Sequence, residues 1–92
     1  MRDYVNEHMA RHPRTAQYGV RPVIRCMDGY TISVQGSEGH YSTPKYHRGP
    51  YTAVEVWATS KVGNRVTEYP EGYMPVSSIN RRIHSHGGPV PA

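Results

Sequence analysis

Three spacings of apolar residues divide the chain. Val5, Met9 and His12 recur at i, i+4 and i+7, which predicts a short helix within residues 1–12. Pro13 ends it, because proline disfavours helix in the residue before it. A helix this short is weak in isolation and either frays or docks on a partner. Residues 13–21 read as a linker.

The second spacing is strict alternation. In Tyr30-Thr31-Ile32-Ser33-Val34-Gln35 the apolar residues point one way and the polar ones the other. Val23-Ile24-Arg25-Cys26-Met27 precedes this strand, and Asp28-Gly29 lies between them, the signature of a two-residue hairpin turn. That turn pairs Met27 with Tyr30, Arg25 with Ile32 and Val23 with Val34, which puts Arg25 on the apolar face. Either Arg25 snorkels at the end of the sheet, or the loop is longer and the register differs. A third strand follows at Tyr51–Ala58, with Thr52, Val54, Val56 and Ala58 on one face and Tyr51, Ala53, Glu55 and Trp57 on the other. Residues 59–71 are polar and turn-rich, with Gly63-Asn64 as a turn and Val62, Val66 and Tyr69 as short strand pieces.

The third spacing is helical again. Pro75 suits a first helical position, and Val76, Ile79 and Ile83 form one stripe, with Asn80, Arg81, Arg82, His84 and Ser85 on the solvent side. Gly87-Gly88 and Pro89 end this helix. The pattern predicts an α+β fold: a small antiparallel sheet, made of a hairpin plus one or two further strands, with a C-terminal helix and a short N-terminal one. The domain organisation is a basic, partly helical or flexible segment over 1–22, one β-rich domain over 23–88 and a disordered tail over 89–92.

Composition changes this picture in one respect. The chain has 92 residues with no Leu and no Phe, so its core rests on Val, Ile, four Met, one Trp and part of eight Tyr. A domain of this size buries only about two thirds of the surface its unfolded chain exposes. Cys26 is the only cysteine, so no disulfide braces the chain, and a lone thiol suits a reducing compartment. Self-association into a homo-oligomer through Tyr-rich surface would supply the missing burial. The alternative is a modestly stable monomer.

The formal net charge is +4. Its excess lies at the N-terminus, where Arg2, Arg11, Arg14, Arg21 and Arg25 face only Asp3 and Glu7. A basic balance favours acidic partners, and is also common on solvated surfaces. No apolar run approaches a membrane span and no signal-peptide core is present, which points to a cytoplasmic protein.

Candidate chemistry concentrates in residues 36–51. His40, Tyr41, Lys45, Tyr46, His47, Arg48 and Tyr51 interleave aromatic and basic side chains on a long loop. With Trp57 on the adjoining strand, this set (Tyr41, Lys45, Tyr46, His47, Arg48, Tyr51 and Trp57) is the expected partner-binding surface, since Tyr and Arg are enriched at interface hot spots. The same mixture can stack bases and neutralise phosphates. A nucleic-acid or signalling-nucleotide reading, cyclic nucleotides included, uses Arg11, Arg14, Arg21, Lys45 and Arg48, the first three as a basic arm. The plain alternative is a mobile polar loop with its tyrosines packed on the sheet.

Other chemistry is thinly supported. His8 and His12 are spaced i, i+4, and His84 and His86 i, i+2, but neither pair belongs to a zinc-ligand pattern, and they read as surface histidines. Cys26 sits in a strand next to the hairpin turn, the ordinary place of a packed thiol, and the acids are few and scattered, Asp28 in a turn and Glu68 and Glu71 in a loop. No phosphate-binding glycine motif occurs. The expectation is no catalytic residue, no metal and no cofactor.

Three stretches carry a family resemblance: Cys26-Met27-Asp28-Gly29-Tyr30-Thr31-Ile32-Ser33-Val34-Gln35, Tyr41-Ser42-Thr43-Pro44-Lys45, and Gly49-Pro50-Tyr51-Thr52-Ala53-Val54-Glu55-Val56. With Tyr73-Met74-Pro75-Val76 and His86-Gly87-Gly88, the chain resembles a family of small accessory proteins of tailed bacteriophages over about residues 23–88. It departs from that pattern in its added basic segment before Val23 and in a shorter, less acidic connection between Thr59 and Gly72. The resemblance implies a non-enzymatic phage accessory protein in the bacterial host cytoplasm. It further implies stoichiometric binding and inhibition of a host or defence-system protein, of the anti-defence or anti-CRISPR type.

Overall fold

A computed structural model describes residues 1–13, 20–59 and 69–91. Among these the order is α1 (Tyr4–Arg11), β1 (Ile24–Arg25), β2 (Thr31–Gln35), β3 (Ala53–Thr59), β4 (Glu71–Pro75) and α2 (Val76–Ser85). The strands form one antiparallel sheet in the order β1-β2-β3-β4. The expected α+β class is therefore what the chain adopts. Arg14, Val62, Gly63-Asn64 and Val66 lie outside the described residues.

The hairpin resolves the position of Arg25. Ile24 pairs with Ile32 and Arg25 with Thr31, one residue away from the two-residue-turn register. Gly29 N–H bonds the Cys26 carbonyl at 3.0 Å, Cys26 N–H bonds the Tyr30 carbonyl at 2.8 Å, and Gly29 has φ +93°. This is a three-residue loop, with the glycine taking the left-handed position that closes it. Asp28 is spared a positive φ and instead accepts from Tyr30 N–H at 3.0 Å. Ile24, Cys26, Tyr30 and Ile32 all turn inward, and Arg25 turns to water.

Both helices cover the same sheet face, over Val34, Val54, Val56 and Ala58. Asp3 caps α1 by accepting from Asn6 N–H at 3.1 Å, and Val5 and Met9 bury in the core. Asn80, expected on the solvent side, is buried. Its Oδ1 accepts from Val5 N–H at 3.0 Å, and its Nδ2 donates to Asp3 at 3.1 Å. It thereby satisfies one of the donors that the first turn of α1 leaves unpaired. The N-terminal helix is thus bolted to the C-terminal one.

The end of α2 is a Schellman motif: Gly87 N–H bonds His84 O, Gly88 N–H bonds Ile83 O, and both glycines have positive φ. Beyond it, Pro89 and Val90, in the tail expected to be disordered, turn back on the sheet. Pro89 bridges Cys26, and Val90 N–H bonds the Arg25 carbonyl at 2.8 Å, covering the exposed edge of β1. His86 Nδ1 lies 2.7 Å from an Asp28 carboxylate oxygen, and its ring stacks on Tyr30 at 3.8 Å, so the hairpin turn and the helix end hold each other.

Candidate partner-binding surface

The segment after β2 starts at Gly36, which lies against the ring of Tyr51. A methyl group there would sit 2.4 Å from the ring, and one at Gly49 would sit 2.8 Å from its other side. Tyr51 is 3% exposed, so it is an internal anchor and not the surface residue its loop position predicts. Its hydroxyl donates to Tyr46 O at 2.6 Å. Gly36 O lies 3.1 Å away and already accepts from Arg21 Nη1 at 2.8 Å. Asn6 on α1 mimics a neighbouring strand, accepting from Tyr51 N–H at 2.7 Å and donating to Tyr51 O at 2.9 Å.

Arg21 is the second correction. It is 4% exposed and donates to His12 O, Gly36 O and His47 O at 2.8, 2.8 and 3.0 Å. Its backbone is clasped by the Gln35 amide, which accepts from Arg21 N–H and donates to Arg21 O. A guanidinium engaged this way ties α1 to the loop and is no part of an exposed basic arm. Arg11 stays exposed on α1.

The remaining loop residues separate into two groups. Tyr46 and His47 pack ring to ring at 4.2 Å, with Arg48 beside them at the surface near α1. Tyr41 and Lys45 go to the sheet face that the helices leave open. There Tyr41 N–H bonds the Glu55 carboxylate at 2.9 Å, and Lys45 Nζ sits 5.0 Å above the Tyr41 ring centroid. Trp57 lies two residues from Glu55 on the same face of β3.

The residue missing from the expected set is Tyr73. Between β3 and β4 the register slips: Val54 pairs with Met74 but Val56 with Glu71, a β-bulge that holds Gly72 and Tyr73. Tyr73 adopts φ +52°, the left-handed conformation a tyrosine rarely takes. Its N–H reaches the Tyr41 carbonyl at 2.9 Å, and the two rings meet at 5.8 Å and 47°. Gly72 permits this approach, since a side chain there would begin 2.7 Å from Tyr41 Cβ. Glycine inside a strand pattern is the sequence signal that points to the bulge. Tyr41 and Tyr73 are 60% and 50% exposed. They form a fixed aromatic ridge with a lysine at its side.

No nucleophile is poised among these groups. Burial, then the nearby Asp28 charge, pushes the Cys26 thiol up to about 11, so it stays a packed thiol at neutral pH. His8 bonds Pro22 O at 2.8 Å and packs against His12, while His84 Nδ1 meets Tyr4 Oη at 3.1 Å. Among the described residues no three His, Cys, Asp or Glu converge as a metal site. None of the described helices is long and apolar enough to cross a membrane.

Comparison with family models, curated proteins and solved structures gives no match to this chain.

Proposed function

We propose that this chain is a non-enzymatic bacteriophage accessory protein, working in the bacterial host cytoplasm, that binds and inhibits a host or defence-system protein through the open face of its sheet. The observation that carries the binding part is the Tyr41–Tyr73 ridge. Two large side chains are held in water by backbone hydrogen bonds, one of them in a strained conformation. Exposed strain of this kind persists where surrounding structure enforces it, and such sites cluster at ligand contacts. Pre-set tyrosines lose little entropy on docking and bring apolar area with a polar tip. Lys45 and Trp57 extend the contact.

The phage and host assignment rests on the motifs at Cys26–Gln35, Tyr41–Lys45 and Gly49–Val56. The ridge falls within the second motif and the Tyr73-Met74-Pro75-Val76 motif. The nucleic-acid reading loses support because Arg21 is buried and Lys45 and Arg48 belong to separate groups of the loop.

The test compares two baits in one bacterial lysate, wild type and the Tyr41→Ala/Tyr73→Ala double variant, with captured proteins identified by mass spectrometry. A partner that wild type retains and the variant releases supports the reading, provided the purified partner loses its activity on addition of the wild-type protein. Equal capture by both baits, or no capture, sinks it. If wild type sediments as a dimer and the double variant as a monomer, the ridge is a homo-oligomer contact instead. Salt-sensitive binding of nucleic acid that survives the double substitution would revive the alternative.

A further inference from the structure

A cavity of about 720 Å³ opens between α1 and residues 47–50, away from the aromatic ridge. Its volume lies in the range of about 300–1,000 Å³ typical of small-ligand sites. Met9 and Ala10 supply part of its wall from α1, with Pro13 beyond the helix, and Pro50 closes it from the loop. Two cations line it as well, Arg21 and Arg48.

Arg21 is the informative one. It is 4% exposed, yet among the described residues no carboxylate pairs with it. Three carbonyls accept from its guanidinium and the Tyr51 ring lies 5.7 Å from its centre. These are dipoles and a quadrupole, which solvate the positive charge without cancelling it. A guanidinium has five N–H groups, so two remain for a further acceptor. Arg48 makes no ion pair among the described residues either. Of the acids on the cavity wall, Glu7 is paired with Arg2 at 2.9 Å, while Asp3 keeps its charge among the neutral amides of Asn6 and Asn80, so with Arg21 and Arg48 the wall carries one positive charge in excess. A buried guanidinium beside an apolar wall favours an anion, because the lower dielectric there screens their attraction less than water does.

We propose that this cavity binds a small amphipathic anion, with a carboxylate or phosphate head at Arg21 and Arg48 and an aliphatic body against Met9, Ala10, Pro13 and Pro50. Arginine suits either head group, since its fork of donors matches both. The site is independent of the aromatic ridge, so the chain would carry a ligand pocket and a docking face on different sides.

Three probes with one tail test this: octanoate, octyl phosphate and 1-octanol, each titrated below its micelle concentration into the ¹⁵N-labelled full chain. Saturable shifts of the Met9, Ala10, His47, Arg48 and Gly49 amides are expected with at least one anion. Binding of octanol should be at least about tenfold weaker, for want of a charge-assisted bond. Which anion binds tighter tells a carboxylate ligand from a phosphate one. Ala10→Trp fills the cavity from the helix side and should abolish binding. Arg48→Ala should weaken the anions and leave octanol unchanged. The two variants act on opposite walls, so either one suffices if the other misfolds. Equal binding of all three probes, no saturable binding of an anion at millimolar concentration, or full affinity in a folded variant overturns the proposal.

Discussion

Residues 40–45 and residues 46–51 have nearly the same vocabulary, tyrosine, histidine and a base, and the fold uses them in opposite ways. In the first stretch Tyr41 is pushed outward, and its carbonyl takes a hydrogen bond from the bulged Tyr73. In the second, Tyr51 is drawn inward between two glycines, and its loop is tied to α1 by Arg21 and Asn6. Composition is therefore silent about which tyrosine is an anchor and which a contact. What decides is the backbone around each. Gly36 and Gly49 make a slot that only a flat ring without facing side chains can fill, whereas Gly72 removes an obstacle so that Tyr41 can be propped from below.

The largest predicted effect tests the inward half. Arg21→Met keeps bulk and removes the guanidinium, leaving the buried Gly36 O and the part-buried His12 O and His47 O without their donor. At about 1–3 kcal/mol for each orphaned group, the loss exceeds ~3 kcal/mol, a large part of what a domain of this length has. Thermal unfolding should shift down by more than ~10 °C. Arg48→Ala, one loop turn away, should stay within ~0.5 kcal/mol of wild type. Similar melting curves for the two variants would erase the distinction between tie and surface charge.

Next comes the slot. Gly36→Ala places a methyl 2.4 Å from a ring that is hydrogen-bonded and buried, so the ring cannot swing away. A loss of about 1–3 kcal/mol is expected from overpacking. Tyr51→Phe keeps the ring and deletes its hydroxyl, for about 1 kcal/mol. Urea unfolding of the pair measures both. A milder Gly36→Ala than Tyr51→Phe would mean that the slot is looser than its contacts imply.

The outward half should respond with the opposite sign. Tyr73→Gly removes a left-handed tyrosine, a conformation costing about 1–2 kcal/mol, against the entropy glycine adds to the unfolded chain. Stability should hold or rise slightly, while retention of the partner in the lysate experiment is lost. A destabilised Tyr73→Gly would make the ridge part of the fold's support.

These contrasts also show what the sequence could and could not reveal. Periodicity located both helices and the inward faces of β2 and β3, because burial of one face repeats with the element's own period. It failed where a single side chain decides. Asn80 sits on a polar stripe and is buried because Val5 N–H needs an acceptor. Asp-Gly permits two loop lengths, and burying Cys26, Tyr30 and Ile32 on one face selects the longer. Arg21 and Arg48 are both arginines in loop-like sequence, and only the three-dimensional meeting of residues 12, 36 and 47 separates them. Candidate contact residues were legible as a composition, and their division between two surfaces was not.

The smallest predicted effect is a pH dependence that belongs to the inward half alone. His8 on α1 bonds the carbonyl of Pro22, next to Arg21. Burial, aided by the charges of His12, Arg11 and Arg21, holds its pKa below the ordinary 6.5, although the Pro22 bond acts the other way. A histidine with a depressed folded value binds fewer protons folded than unfolded, so its contribution is present above 6.5 and lost as pH falls through the folded value. Asp3 has its own acid loss in a separate window. Burial raises its pKa, but the hydrogen bonds from Asn6 and Asn80 together bring it below 3.8. Between pH 7.5 and 5 the melting temperature should therefore decline, and the decline should be shallower in His8→Gln, whose amide can still donate to Pro22. Over the same range the amides of Val20, Arg21 and α1 should shift with His8, and those of Tyr41–Thr43 and Lys45 should not. A shared titration would show that the two halves of the loop move as one body, which their separate attachments, to α1 on one side and to the bulge on the other, argue against.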